Sequence, residues 1–181
     1  MNYKPLFILG LLFELIGQLL LAPGNEFVYA QKPIDFAHWF ILIGAALLIP
    51  QIGQFPKKIY TYIGVPIFII GIISFIGMCV LDFIWWSQPT QEIRNEFAAH
   101  ISKVPSIWKP FITTTPKFLN IGLFIISLNY IKENKIGFVM VLIATIIKMF
   151  GWYYIPYSLV FVYLFTLIGF VLIFFQKNNK R

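Results

Sequence analysis

Charge is scarce in this chain. Asp, Glu, Lys and Arg make up 12% of its 181 residues, about half the share of a water-soluble domain, which excludes an ordinary soluble protein. Cysteine is nearly absent. Cys79 stands alone inside an apolar run, so neither an intrachain disulfide framework nor a cysteine metal cluster is available. Acidic residues are also few, 7 against 14 basic ones. That excess would suit nucleic acid only if it were gathered on a polar domain. It is spread instead over short connections between apolar runs, where basic side chains set orientation and meet anionic headgroups. Membrane lipids are therefore the expected partners, and nucleic acid is not. No internal repeat, nucleophile elbow or H-E-x-x-H signature appears, so no cofactor is called for.

Apolar and aromatic side chains are abundant: 59% of the residues are hydrophobic, with 20 Phe, 9 Tyr and 5 Trp. Six runs are candidates to cross a hydrocarbon layer of about 30 Å at 1.5 Å per residue. They are Pro5–Ala22, Phe36–Phe55, Tyr60–Trp86, Pro116–Ile131, Ile136–Tyr154 and Pro156–Phe175. All are expected to be helices, because an open strand edge in lipid leaves backbone groups unpaired at several kcal/mol each. The expectation is one all-α membrane domain over residues 1–181, a six-helix bundle. The first run reads as a retained span rather than a signal peptide, since Glu14 interrupts its apolar core.

Orientation follows from the basic residues. With a cytoplasmic N-terminus, the inner segments hold Lys4, Lys57, Lys58, Lys132, Lys135, Lys177, Lys180 and Arg181, against Lys32, Arg94, Lys103, Lys109 and Lys117 outside. Both termini are then cytoplasmic, as in a bacterial inner membrane protein. All five tryptophans, Trp39, Trp85, Trp86, Trp108 and Trp152, fall at the outer end. They read first as an interfacial belt and second as a ligand mouth. The long loop, Ser87–Thr115, contains an amphipathic segment, Gln91–Val104, started by Thr90 or by Gln88 with Pro89 and stopped by Pro105. Its Ile93, Phe97, His100 and Val104 share a face, so His100 is expected on the apolar side. The fourth run is short, about 24 Å, and the loop is expected to fold back into the outer leaflet beside it.

Ionisable groups at membrane depth cost at least about 2.5 kcal/mol each and usually face partners inside the bundle. Glu14 lies on a stripe with Gly10, Gly17, Gln18 and Leu21, and Asp82 on one with Gly71, Ser74, Met78 and Trp85. Lys148 supplies the opposite charge, and together with His38, His100 and Asn120 these groups fall in the middle and outer half of the membrane. Two carboxylates and one ammonium leave one negative charge to be neutralised, by a proton or by a cationic ligand. The expected site is Glu14, Gln18, His38, Asp82, His100, Asn120 and Lys148, walled by Trp39, Trp85 and Trp108. It would bind or carry a small amphiphilic or cationic molecule, with Glu14 or Asp82 exchanging a proton. Lipid chemistry by an Asp82/His100 acid/base pair is the alternative. Haem held by His38 and His100, or a metal such as zinc held by them with Asp82 and Glu14, has no diagnostic spacing behind it. A structural subunit whose polar stripes meet a second copy or a partner chain remains a further expectation.

The segment Leu9-Gly10-Leu11-Leu12-Phe13-Glu14-Leu15-Ile16-Gly17 resembles the first helix of the small multidrug resistance transporters, in which a membrane glutamate binds protons or drug. The resemblance covers one helix, and that family has four short spans rather than six. It implies a proton- or cation-binding role for Glu14.

Overall fold

The computed structural model describes residues 2–113 and 116–175. Among them there are helices and turns but no strand. The helices are α1 (Lys4–Leu21), α2 (Asn25–Ala30), α3 (Phe36–Leu48), α4 (Ile59–Trp86), α5 (Gln91–Ser102), α6 (Pro105–Trp108), α7 (Pro116–Ser127), α8 (Lys135–Phe150) and α9 (Ser158–Phe175). Short 3-10 turns extend α3, α7 and α8, and a π-helical turn, Lys109–Thr113, follows α6.

Local chemistry sets the boundaries. Pro5 opens α1 in its first turn, where its missing N–H costs nothing. Asp35 caps α3 by accepting from the His38 amide, Thr90 caps α5 through the Ile93 amide, and Asn134 caps α8 through the Gly137 amide. The Asn134 side chain also donates to the Leu172 carbonyl at 2.8 Å, tying α8 to α9.

The six long helices form a ring in chain order. α1 packs on α3, α3 on α4, α4 on α7, α7 on α8 and α8 on α9, and α9 closes on α1. Three of these contacts are close because a glycine lets the neighbouring helix approach its backbone, as suits helices that gain little from hydrophobic burial in lipid. A Cβ on Gly10 would stand 2.8 Å from the Gly44 carbonyl, and one on Gly137 would stand 2.8 Å from the Gly169 carbonyl. At Gly71 the backbone nitrogen of Leu119 would lie 2.2 Å away. Phe7, Phe68, Phe170 and Phe174 fill the middle of one half of the ring, with Phe7 ring centroids 5.1 to 6.4 Å from the other three. The exterior is apolar: Leu12, Leu19, Ile43, Ile63, Ile70, Ile73, Ile146 and Val171 all point outward. Such a surface suits lipid rather than water.

Among the described residues, four helical segments are long and apolar enough to cross a membrane: Lys4–Leu21, Phe36–Gln54, Ile59–Trp86 and Ser158–Phe175. A fifth arises if Pro105–Thr113 and Lys117–Tyr130, bent by 47°, are one broken span. Phe111 lies against Gly77, nine residues below the end of α4, or about 13 Å along the helix. The segment that follows α6 thus lies beside α4.

The two ends of the ring differ. At one end the N-terminus, the α3–α4 turn, the α7–α8 turn and the end of α9 meet. The Tyr3 amide donates to Gln54, Lys58 reaches Asn129 and Glu133, and Tyr130 touches Phe174. This basic end holds Lys4, Lys57, Lys58, Lys132 and Lys135. The opposite, aromatic end holds Trp39 against Phe83, Trp85 against Phe97, and Trp86 donating to the Val28 carbonyl. The Trp152 side chain, and Lys177, Lys180 and Arg181 of the charge count, lie outside the described residues.

Candidate functional site

The first polar constellation is built where α3 begins and α4 ends. Asp35 sits one residue before α3, and its Oδ1 accepts the His38 amide at 3.1 Å. Its Oδ2 lies 2.6 Å from His38 Nδ1. The other face of the same imidazole meets α4, with Nε2 at 3.2 Å from Asp82 Oδ2. One ring is therefore held between two carboxylates. Side-chain exposure falls from 20% at Asp82 through 11% at His38 to 1% at Asp35, so Asp82 is the member open to the outside.

Nδ1 makes the hydrogen bond, to Asp35, and Nε2 reaches Asp82 at ion-pair distance. An imidazolium in this position would stand between two anions and leave the group one net negative charge.

Aromatic residues of α3 and α4 stand beside it. Phe83 stands edge-on to His38 and stacks near Trp39. Arg94 of α5 lies 4.1 Å from the Tyr29 ring centre and donates to the Gln88 carbonyl at 2.7 Å. Lys32 lies 4.5 Å over Trp86. Burial raises the Tyr29 phenol above its ordinary range, Arg94 opposes that shift, and the negative charges of Asp82 and Asp35 add to it.

The second constellation is interior. Glu14 is completely buried, and neither carboxyl oxygen has a hydrogen-bond partner. Its stem lies over Gly44, where a Cβ would approach Glu14 Cγ to 3.1 Å, so the α1–α3 crossing holds it in place. Lys148 of α8 is the positive charge that acts on it, without forming an ion pair. The Tyr163 hydroxyl and both polar atoms of Asn120 on α7 are buried and unpartnered. Gln18, one turn from Glu14, lines an open cavity of about 320 Å³ with Ser158, Tyr157 and Pro156, between the ends of α1 and α9.

The expected site residues thus do not line one chamber. His38 and Asp82 pair at the aromatic end, Glu14 is buried in the interior, Gln18 lines the α1–α9 cavity, and Lys148 is half-buried on α8. Trp39 is near the first group; Trp85 packs on Phe97, and Trp108 belongs to the segment beside α4. His100 requires a correction. It is exposed, and the face of α5 turned inward carries Arg94, Phe97, Ala98 and Ile101. Phe97 meeting Trp85 and Arg94 covering Tyr29 rotate the helix so that His100 and Ile93 face out. The Asp82 partner is consequently His38, not His100. Asp35 escaped the sequence reading, although an Asp three residues before a His at a helix start was a capping signal that could have found it. No group of three or more His, Cys, Asp and Glu suited to a metal occurs among the described residues.

Comparison with known protein families, curated proteins and solved structures gives no match to this chain.

Proposed function

We propose that this is a six-span membrane protein that binds or carries a small cationic or amphiphilic molecule, admitted from the aromatic end and exchanged against a proton on Glu14. The observation that carries the reading is the Glu14 carboxyl, fully buried with both oxygens unpartnered. A carboxylate left that way is costly, and a proton or a cation must neutralise it. The cavity lined by Gln18 and Ser158 opens one helical turn away, and the ring interior provides apolar walls for an amphiphile. The basic residues gathered at the other end support cytoplasmic termini in a bacterial inner membrane, with the aromatic end outside. Equilibrium binding of tetraphenylphosphonium, a lipophilic cation, tests the proposal on purified protein. Glu14→Gln is expected to abolish saturable binding and Asp82→Asn to retain it. Equal binding by wild type and Glu14→Gln would overturn it.

A second reading is favoured by the imidazole between Asp35 and Asp82. Held at the depth of one headgroup region, it suits general acid/base chemistry on a lipid, with Asp35 orienting the ring and Asp82 taking or giving the proton. Incubation of the protein with mixed phospholipids, followed by mass spectrometry, should then show a product that His38→Asn eliminates. An unchanged lipid profile with wild type would contradict this reading.

A further inference from the structure

At the basic end, between the start of α4 and the α7–α8 turn, lies a cavity of about 410 Å³ that the function proposed above does not use. Lys58, Tyr60, Asn129, Ile131, Lys132 and Glu133 line it. We propose that it binds a phosphate headgroup bearing a primary ammonium, as in an ethanolamine phospholipid of the adjoining leaflet. Three features carry this assignment, each suited to a different part of such a ligand.

The phosphate has a ready cradle. α4 is 28 residues long and its Lys58 N-cap makes no side-chain capping bond. The first amides of a helix lack intrahelical acceptors, and with the helix dipole they favour an anion. Those of Ile59 and Tyr60 belong to residues that line the cavity. Lys58 and Lys132 add two ammonium groups at the rim. Lys58 lies 3.5 Å from the Asn129 carbonyl and 3.7 Å from Glu133, both side chains of that ion pair being more than half exposed. Such an exposed pair is weak enough to open toward a ligand.

The ammonium is selected by an acceptor. Asn129 is 6% exposed, and its amide nitrogen donates to Thr61 Oγ1 and to the Ile126 carbonyl, both at 2.9 Å. Those bonds fix the amide orientation and leave Oδ1 buried with no donor. A bare phosphate cannot satisfy that oxygen, but an N–H donor attached to the phosphate can, with the Glu133 carboxylate beside it. The acyl chains find a shelf as well: Ile59, Tyr60 and Ile131 are 62%, 42% and 38% exposed at the cavity edge.

The decisive comparison uses lipids of identical acyl chains, titrated into the delipidated full-length protein in detergent and counted by native mass spectrometry. A charge-assisted hydrogen bond to the primary ammonium predicts that the ethanolamine lipid binds about tenfold or more tighter than its choline counterpart, whose trimethylammonium has no N–H. Lys132→Gln, at an exposed position, should weaken both lipids together, and Lys58→Gln should add to that loss. Asn129→Leu should erase the ethanolamine preference. If that variant does not fold, the choline comparison and the lysine variants decide alone. Equal affinity for the two lipids, stronger binding of phosphatidylglycerol than of either, or indifference to both lysine variants would overturn the proposal. O-phosphoethanolamine and inorganic phosphate form the soluble arms: weak binding of both supports a lipid source, and lipid-like affinity for O-phosphoethanolamine would overturn that source in favour of a soluble one.

Discussion

Removing the His38 imidazole should be among the most damaging single changes outside the glycine contacts, and its cost can be worked out from the two carboxylates it separates. In His38→Ala, Asp35 Oδ2 loses its 2.6 Å partner while its side chain is 1% exposed, so water cannot replace the ring. Asp82 loses a 3.2 Å contact but is 20% exposed and can be rehydrated. Breaking a buried pair by removing one partner typically costs about 3–5 kcal/mol, and the accessibility of Asp82 places this case near the lower end. Asp35→Ala removes an N-cap worth about 1 kcal/mol but leaves His38 paired with Asp82. The double variant no longer contains the orphaned Asp35 carboxylate, so it should be less destabilised than the sum of the singles by about 2 kcal/mol, within the range for contacting residues. Reversible unfolding in mixed micelles, followed by circular dichroism, measures each corner of the cycle. A His38→Ala cost below about 1 kcal/mol, the size of an ordinary hydrogen bond, or strict additivity with Asp35→Ala, would refute the reasoning.

Other expectations follow from single contacts. Gly71→Ala places a methyl 2.2 Å from the Leu119 backbone nitrogen and should destabilise by at least the roughly 1–3 kcal/mol of core overpacking, whereas Gly53→Ala, with nothing within 4 Å, should be near neutral in the same melt. Thr90→Ala should cost the α5 cap about 1 kcal/mol and raise hydrogen exchange at the Ile93 amide. Tyr29 is harder to ionise in the folded chain than in the unfolded one, so its contribution to stability is intact below the unfolded phenol pKa and is lost as pH rises through the folded value. Since Arg94 opposes that shift, Arg94→Ala should move the Tyr29 titration further up, read as the difference in tyrosinate absorbance between each background and its Tyr29→Phe partner. A downward move would contradict the assigned contact.

The apolar runs and their breakers made the helices legible, because lipid allows few other ways to satisfy a backbone and because Pro5, Thr90 and Pro105 punctuate the chain where the helices change. Residue spacing also put Glu14 and Gln18 on the buried face of α1, since Gly10 and Gly17 share that stripe and only small residues admit α3 so closely. Long-range pairing was not legible. Asp35 sits in a loop by composition, and only the end of α4 returning beside the start of α3 brings Asp82 to the other side of the imidazole that Asp35 holds. The face of α5 was misassigned because periodicity weighs Ile93 and Val104 for their hydrophobicity, whereas Trp85 and Tyr29, outside that helix, select Phe97 and Arg94. Charge type suggested one shared site, but Asp82 and Glu14 are drawn to different neighbours, His38 and Lys148, on different helices.

Proton release on ligand binding tests the role of Glu14 most directly. Purified protein in weakly buffered solution, mixed with tetraphenylphosphonium while a pH indicator is followed, should release close to one proton for each cation bound. Glu14→Gln should release none. Cation binding without proton release in the wild type, or equal release by the variant, would contradict the assignment of Glu14 as the exchanging group.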